Sequence, residues 1–258
     1  MEKPNLHLVA YIDMLAGTHM IYKDEEYENL NNVHALYKGI VEKIQKDKAY
    51  TTRYIDIKIF SDNILISSKA YFETPKIIRR TIFEFFDIIQ ELQYRALCKN
   101  ILLRGAIDYG ELFIDSNFVW GKALVEAHNL EQKALVPRII LSNNTIDFLE
   151  KLDDKFKSIS IFNRLPLLSD IDDELYINYL SFWKNNFRSE DEVEIWTNFL
   201  KEELSKNSNN YKIMVKLNWL KQYHNEFCDY CEENKYAIEQ KINAIQLQLF
   251  DTSQYSIL

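Results

Sequence analysis

Residues 53–67 read RYIDIKIFSDNILIS, and this stretch sets the fold. Ile55, Ile57 and Ile59 alternate with Tyr54, Asp56, Lys58 and Phe60, the period of two that puts successive side chains on opposite faces of a strand. Ser61-Asp62-Asn63 is turn chemistry, and ILIS at 64–67 is a return strand. Upstream, LHLVAYI at 6–12 is apolar and reads as a buried strand. Between them Leu30, Val33, Tyr37, Ile40 and Ile44 recur at helical spacing, with Leu36 and Val41 widening the stripe. Downstream, Thr74-Pro75 opens a second helix whose stripe is Ile78, Ile82, Phe85, Ile89 and Leu92. ILLRGAI at 101–107 and GELFI at 110–114 read as two further strands, followed by a loop at Asp115-Ser116-Asn117. Ala123, Leu124, Ala127, Leu130 and Ala134 mark a third helix stopped near Pro137, and RIILS at 138–142 is one more strand.

This order predicts an α+β fold: an antiparallel or mixed sheet with helices on one face, whose first β-α-β-β-α-β stretch is ferredoxin-like. Beyond about residue 145 the chain turns acidic and aromatic. Residues 1–145 are expected to form the core, and 146–258 the remaining strands and a helical extension packed on it. In that extension Asn207-Ser208-Asn209-Asn210 reads as a loop, and 211–248 as helical throughout.

Composition narrows the function. The chain has 258 residues, is 47% hydrophobic and holds only 5 Gly and 4 Pro, which excludes a disordered or low-complexity protein. A net charge of -8 argues against direct nucleic-acid binding, which needs a basic surface. It leaves room for a small phosphorylated ligand. No stretch approaches the roughly 20 apolar residues of a membrane span. The N-terminus lacks the uncharged core of a signal peptide, and three cysteines make no disulfide framework, so a cytoplasmic protein is expected.

Two carboxylates stand out. Asp13 ends the first strand and Asp62 sits in the hairpin turn, and in a ferredoxin-like sheet those strands are neighbours, so the two can meet at one edge. Carboxylates brought together resist ionisation, and a divalent cation relieves them; Mg²⁺ favours one or two carboxylates plus substrate phosphates. Read alone, the pair also fits two solvated turn aspartates.

Four pieces of sequence are jointly more specific: VAYIDMLAGT at 9–18, IKIFSDNILIS at 57–67, LRGAIDYGELF at 103–113 and FVWGKALVEAHNLEQKALVPRIILS at 118–142. Together they resemble the class III nucleotidyl cyclases over roughly residues 6–142. The ID-x-L strand end, the F-S-D hairpin and A-H-N-L-E followed by A-x-x-P-R-I are most similar to the pyrimidine cyclases of bacterial Pycsar antiphage systems. The resemblance implies that Asp13 and Asp62, with the backbone carbonyl of Met14, hold two divalent cations, Mn²⁺ or Mg²⁺. It implies that Arg104 contacts the triphosphate, where a planar guanidinium suits phosphate; read alone, Arg104 also fits a strand-end salt bridge. The implied reaction is attack of a ribose 3′-hydroxyl on its own α-phosphate with loss of pyrophosphate.

Two departures from the family bear on substrate and catalysis. Lys58 matches a base-reading position, while the second such position, an acidic one in adenylyl cyclases, falls at Phe118. A lone donor beside a stacking ring fits the O4 carbonyl of uracil, so UTP is favoured, with cytidylate or adenylate cyclase as alternatives. The plain readings are a solvated strand lysine and a core phenylalanine. The Asn and Arg that the family carries four residues apart are Val125 and Asn129 here, leaving Asn129 to act on ribose or α-phosphate without charge. That departure sustains a second reading, a catalytically degenerate nucleotide-binding module. Family resemblance further implies a homodimer with composite sites, Asp13 and Asp62 acting in trans with Lys58 and Phe118, and a separate effector for the cyclic nucleotide.

Other candidates are secondary. Cys228-x-x-Cys231 with His224 has metal-like spacing but no evident fourth ligand, and reads also as two ordinary helical cysteines. His128 reads as a helix histidine within reach of a ribose. Asp170, Asp172, Asp173 and Glu174 read as a solvated loop, and Trp183, Trp196 and Trp219 as packing of the extension.

Overall fold

Strand β1 (Asn5–Met14) carries apolar side chains on both faces: Leu8, Ala10 and Ile12 on one, Val9 and Tyr11 on the other. A strand apolar on both faces belongs in the middle of a covered sheet, and β1 lies there. The computed structural model describes residues 3–46, 52–70, 74–156, 160–186 and 190–233. After β1 come α1 (Gly17–Tyr22), α2 (Glu28–Lys46), the hairpin β2 (Ile55–Phe60) and β3 (Asn63–Lys69), α3 (Pro75–Leu97) and β4 (Leu103–Ile114). These are followed by β5 (Val119–Trp120), α4 (Lys122–Glu131), β6 (Ile139–Leu141), α5 (Asn143–Phe156), β7 (Leu167–Ser169), β8 (Leu175–Ile177), α6 (Ser181–Asn185), α7 (Glu190–Lys206) and α8 (Tyr211–Glu233). The mixed sheet runs β2-β3-β1-β4-β6-β8-β7, with β5 paired to β4. Its first four strands have the expected ferredoxin-like order, β1 being antiparallel to both β3 and β4.

The α+β architecture is as the sequence predicts, with four differences. Helices cover both faces, not one: α2 and α3 pack on Leu8, Ala10 and Ile12, while α4 seats Ala123 against Val9, Leu65 and Leu112. Val9 is as buried as Leu8, so each face needs cover. Residues 101–107 and 110–114 are not two strands, because β4 runs unbroken from Leu103 to Ile114. Its Asp108-Tyr109-Gly110 looks like a turn, yet Asp108 is 1% exposed and opposes Val9 in the ladder. Ser142 Oγ (2.5 Å) and Asn144 Nδ2 (3.2 Å) donate to Asp108, which satisfies the carboxylate inside the sheet. The third helix ends at Glu131, and Ala134 is buried in the turn beyond it, its N–H donating to the Glu131 carbonyl. Leu30, read as part of the α2 stripe, is 57% exposed; Leu36, Tyr37, Ile40 and Ile44 make the buried face.

The sheet continues past residue 145, which lies inside α5, through β7 and β8. Side chains of α7 and α8 join the same hydrophobic core as the sheet: Val193, Trp196 and Leu200 from one, Met214, Leu217 and Leu220 from the other. The loop at 207–210 separates α7 from α8 as predicted. The expected helical stretch after Glu233 lies outside the described residues. No described helix is long and apolar enough to cross a membrane.

Polar side chains fix the extension in place. Arg138, 4% exposed at the start of β6, is bound by Asp170 and Asp172, its Nη2 lying 2.5 Å from Asp172 Oδ2. Trp219 Nε1 donates to Asp170 Oδ2 at 2.6 Å. The segment is a largely exposed loop, as read from the sequence, and its Asp170 and Asp172 also serve as counter-charges of a buried guanidinium; an unpaired Arg138 in the core would be costly. Gln90 of α3 donates to the Asn178 carbonyl and to Ser181 Oγ, both at 2.7 Å.

Candidate active site

The hairpin positions the site. Phe60 pairs with Asn63, so the loop between β2 and β3 is only Ser61 and Asp62, with Ser61 in the left-handed region (φ 56°). Asp13 opposes Asn63 on one side and Arg104 on the other. The Met14 N–H donates to the Asp62 carbonyl at 3.2 Å, tying the loop to the end of β1. Asp13 and Asp62, 49 positions apart in sequence, thus meet at one sheet edge, with Met14 beside them. Gly17 closes over Asp62: a Cβ on it would stand 2.5 Å from Asp62 Oδ2 and 2.8 Å from Asp62 Cβ. Gly17, Asp62, Ser61 and Met14 form one wall of a cavity of about 340 Å³, whose remainder includes Met20, Ile21, Leu30 and Val33.

Arg104 is the cation of the site. Its Nη2 and Nε lie 3.1 and 3.3 Å from Asp13 Oδ2, and its Nε lies 2.5 Å from Oε1 of Glu131, the last residue of α4. Burial raises the pKa of Asp13 above the usual carboxylate value, the hydrogen bond and charge of Arg104 oppose the rise, and the Asp62 carboxylate adds to it. Burial likewise raises that of Glu131, against Arg104 and with Asp13. Lys216, from α8, also feels the site: burial and then the Arg104 cation push its ammonium pKa down, and Asp13 opposes them. The Tyr37 hydroxyl is raised by burial, then by Asp62 and Asp13, and it has no hydrogen-bond partner among the described residues.

These residues fit a divalent cation. Two carboxylates converge, a glycine leaves their approach free of a side chain, and a buried hydroxyl nearby lacks a partner. Among the described residues no group of three or more His, Cys, Asp and Glu side chains could hold a metal ion. A pair of carboxylates completed by a backbone carbonyl and substrate phosphates is the kind of site Mg²⁺ takes.

The residues matched to base reading meet through the loop before β5. Lys58 Nζ donates to the Ser116 carbonyl at 2.5 Å, two residues before Phe118. Phe118 is not core: it is 52% exposed and stacks on Trp120 with centroids 6.2 Å apart. Asn129 is not brought to Asp13 and Asp62 within the protomer; it lines a separate polar cavity of about 290 Å³ with Asp108, Glu126, Lys133 and Ser142. Val125 is exposed. His128 packs edge-on against Tyr11, whose hydroxyl donates to Asn63 Oδ1 at 2.7 Å.

The Cys228–Cys231–His224 group is a packing cluster. All three are fully buried, Trp196 Nε1 is 3.1 Å from His224 Nδ1, and Cys228 Sγ is 3.6 Å from His224 Nε2. Both ring nitrogens face protein atoms, leaving neither for a metal. Trp183 and Trp196 pack among them as expected.

Sequence reasoning missed Glu131, Gly17, Tyr37 and Lys216 as members of the site. Glu131 had a signal: it falls four residues after Ala127 and eight after Ala123, on the small-residue face that α4 turns to the sheet. A carboxylate on such a face needs a cation. Lys216 had none, because α8 reaches the site only through the tertiary fold.

No protein-family model matches the chain, and no curated protein matches it. Among solved structures, the adenylyl cyclase CyaB from P. aeruginosa is similar with a TM-score of 0.43 at 15% identity, over 58% of this chain and 84% of that one. The monomeric guanylyl cyclase domain of the RhoGC fusion protein from the aquatic fungus Blastocladiella emersonii gives a TM-score of 0.44 at 13% identity, over 68% and 95%. An adenylate/guanylate cyclase/hydrolase from Silicibacter pomeroyi gives 0.38 at 17% identity, over 68% and 95%.

Proposed function

We propose that this protein is a metal-dependent nucleotidyl cyclase that converts UTP to cyclic UMP and pyrophosphate. The observation that carries the reading is the convergence of Asp13 and Asp62 at one sheet edge beside Arg104. Asp13, Asp62 and the Met14 carbonyl would hold two divalent cations, Mn²⁺ or Mg²⁺, and bound cations would supply a lowered pKa for the ribose 3′-hydroxyl and charge neutralisation at the α-phosphate. Arg104 presents a guanidinium to the triphosphate. The protein holds ribose and phosphate in near-attack geometry.

Specificity for uracil rests on Lys58 and Phe118. The exposed Phe118 ring offers a stacking face, and Lys58, next to the same loop, offers a donor for O4. The enzyme acts as a cytoplasmic homodimer in which one protomer contributes Asp13 and Asp62 and the other contributes Lys58 and Phe118. Its product is a second messenger of antiphage defence, read by a separate effector.

A second reading, a degenerate nucleotide-binding module, is favoured by one observation: Val125 and Asn129 supply no cation where the resemblance leads one to expect an arginine. The test is turnover of ATP, GTP, CTP and UTP with Mn²⁺ and with Mg²⁺, products identified by mass, with Asp62→Ala as control. Cyclic UMP that disappears in Asp62→Ala supports the first reading. Cyclic AMP refutes the base assignment and keeps the reaction class. Nucleotide binding without product under either metal favours the module. Mixing Asp62→Ala with Lys58→Ala protomers restores partial activity if sites are shared across a dimer.

A further inference from the structure

Glu131 is an acidic residue in contact with Arg104 that the proposed reaction leaves without a task. Its side chain is 4% exposed, against 20% for Asp13 and 25% for Arg104, so Arg104 bridges two carboxylates of unequal burial: Asp13, half-open to solvent, and Glu131, at the buried end. Arg104 Nε lies 2.5 Å from Glu131 Oε1 and 3.3 Å from Asp13 Oδ2. The contact with Asp13 meets hydrogen-bond geometry; the shorter one with Glu131 does not, and Glu131 Oε1 has no aligned donor among the described residues. The guanidinium is therefore aimed at Asp13 while lying closest to Glu131.

We infer that Glu131 is a positioning residue for metal loading: it takes over Arg104 when a divalent cation takes Asp13. The inference rests on the metal-dependent reading given above. A metal on Asp13 competes with Arg104 for the same carboxylate. Without a second counter-charge, every loading event would strand a partly buried guanidinium, which is costly. Glu131 removes that cost, because the displaced Arg104 keeps an anion at contact distance and gains the aligned hydrogen bond it now lacks. Asp13–Arg104–Glu131 is then an exchangeable pair of contacts, not a fixed salt bridge.

The test is Mn²⁺ affinity of the full chain, read from the electron paramagnetic resonance signal of free Mn²⁺ with no nucleotide present. The wild type binds Mn²⁺, and Asp62→Asn abolishes that binding. Glu131→Gln weakens it by about tenfold or more, the range found for residues that orient metal ligands. Glu131→Asp, which keeps the charge, recovers part of the loss. Arg104→Gln binds at least as tightly as wild type, and adding Glu131→Gln to it changes nothing further, because no guanidinium remains to be held. Thermal unfolding of each variant confirms a folded protein, and Glu131→Asp serves if Glu131→Gln does not fold. Unchanged affinity in Glu131→Gln overturns the inference. So does a tenfold loss that persists in the Arg104→Gln background, which would make Glu131 a distant charge and no more. In either case an Asp62-dependent Mn²⁺ site leaves the metal-dependent reading standing. A wild type that binds no Mn²⁺, or an Asp62→Asn variant that binds it normally, removes both.

Discussion

Gly17→Ala is the sharpest probe of the geometry that holds Asp62. The new methyl would sit 2.5 Å from Asp62 Oδ2, 2.8 Å from its Cβ and 3.0 Å from its Cγ. Ordinary contact begins near about 3.5 Å, so these atoms must retreat by roughly 0.5 to 1 Å. Rotating the carboxylate relieves the contact with Oδ2 but not the one with Cβ, which moves only with the backbone. That backbone is the two-residue loop between β2 and β3, held to β1 by the Met14 N–H. The substitution thus displaces Asp62 as a unit from its place beside Asp13. Overpacking of this kind costs about 1–3 kcal/mol of stability, and a displacement near 1 Å in a reacting constellation can cost about 100-fold in rate. The assay is metal-dependent turnover together with Mn²⁺ affinity, at a temperature where circular dichroism shows the variant folded. Both fall, turnover by about 100-fold. A folded Gly17→Ala protein with wild-type turnover and wild-type metal affinity refutes the placement of Asp62 under Gly17.

Three further outcomes follow from other parts of the molecule. Burial pushes the Glu91 carboxyl up, but Lys43 (2.5 Å) and Arg95 (2.6 Å) override it and hold its pKa below the usual value. Its stabilising contribution is therefore complete above the unfolded-state pKa and is lost as pH falls through the lower folded-state value. Glu91→Gln costs about 2 kcal/mol in urea unfolding at pH 7, and the difference from wild type shrinks below pH 4; an undiminished gap at low pH contradicts the assignment. Tyr37→Phe removes a buried hydroxyl without a protein partner and raises stability by about 1 kcal/mol in thermal unfolding; a loss of stability shows that the hydroxyl is satisfied. Asp170→Asn weakens both the Arg138 ion pair and the acceptor of Trp219, and lowers stability by about 3 kcal/mol in urea unfolding; a loss below 0.5 kcal/mol contradicts its role.

The first half of the fold was legible because its signals are local. The alternation of Ile55, Ile57 and Ile59 and the stripe of α3 need no distant partner, and Ser61-Asp62 is a turn on chemistry alone. Asp13 and Asp62 followed from topology, since the strand order makes their strands neighbours. Asp108-Tyr109-Gly110 misled for the complementary reason. Its turn-like composition is overridden by Ser142 and Asn144, which arrive from 34 and 36 residues away to satisfy the carboxylate in place. The loop at Asp170 and Asp172 was legible but its ion pair was not, because the partner, Arg138, lies 32 and 34 residues upstream. Leu30 fits the α2 period, yet it faces the cavity beside Asp62 and not the sheet. Period identifies which side chains share a face; it does not say which face finds a partner.

Strand β6 has a consequence for anyone who shortens this chain. It is three residues long, fully buried, and flanked by β4 on one side and by β8 on the other. A fragment ending at residue 145 keeps every residue of the candidate site except Lys216, and it would look sufficient on paper. It would also carry an apolar strand with one open edge and a guanidinium, Arg138, whose anions were left on the discarded half. Open apolar edges pair with one another, so the expected product is a sticky aggregate, not a minimal enzyme. The part of the chain that lacks the quoted motifs covers the open strand edge and the buried charge of the part that has them.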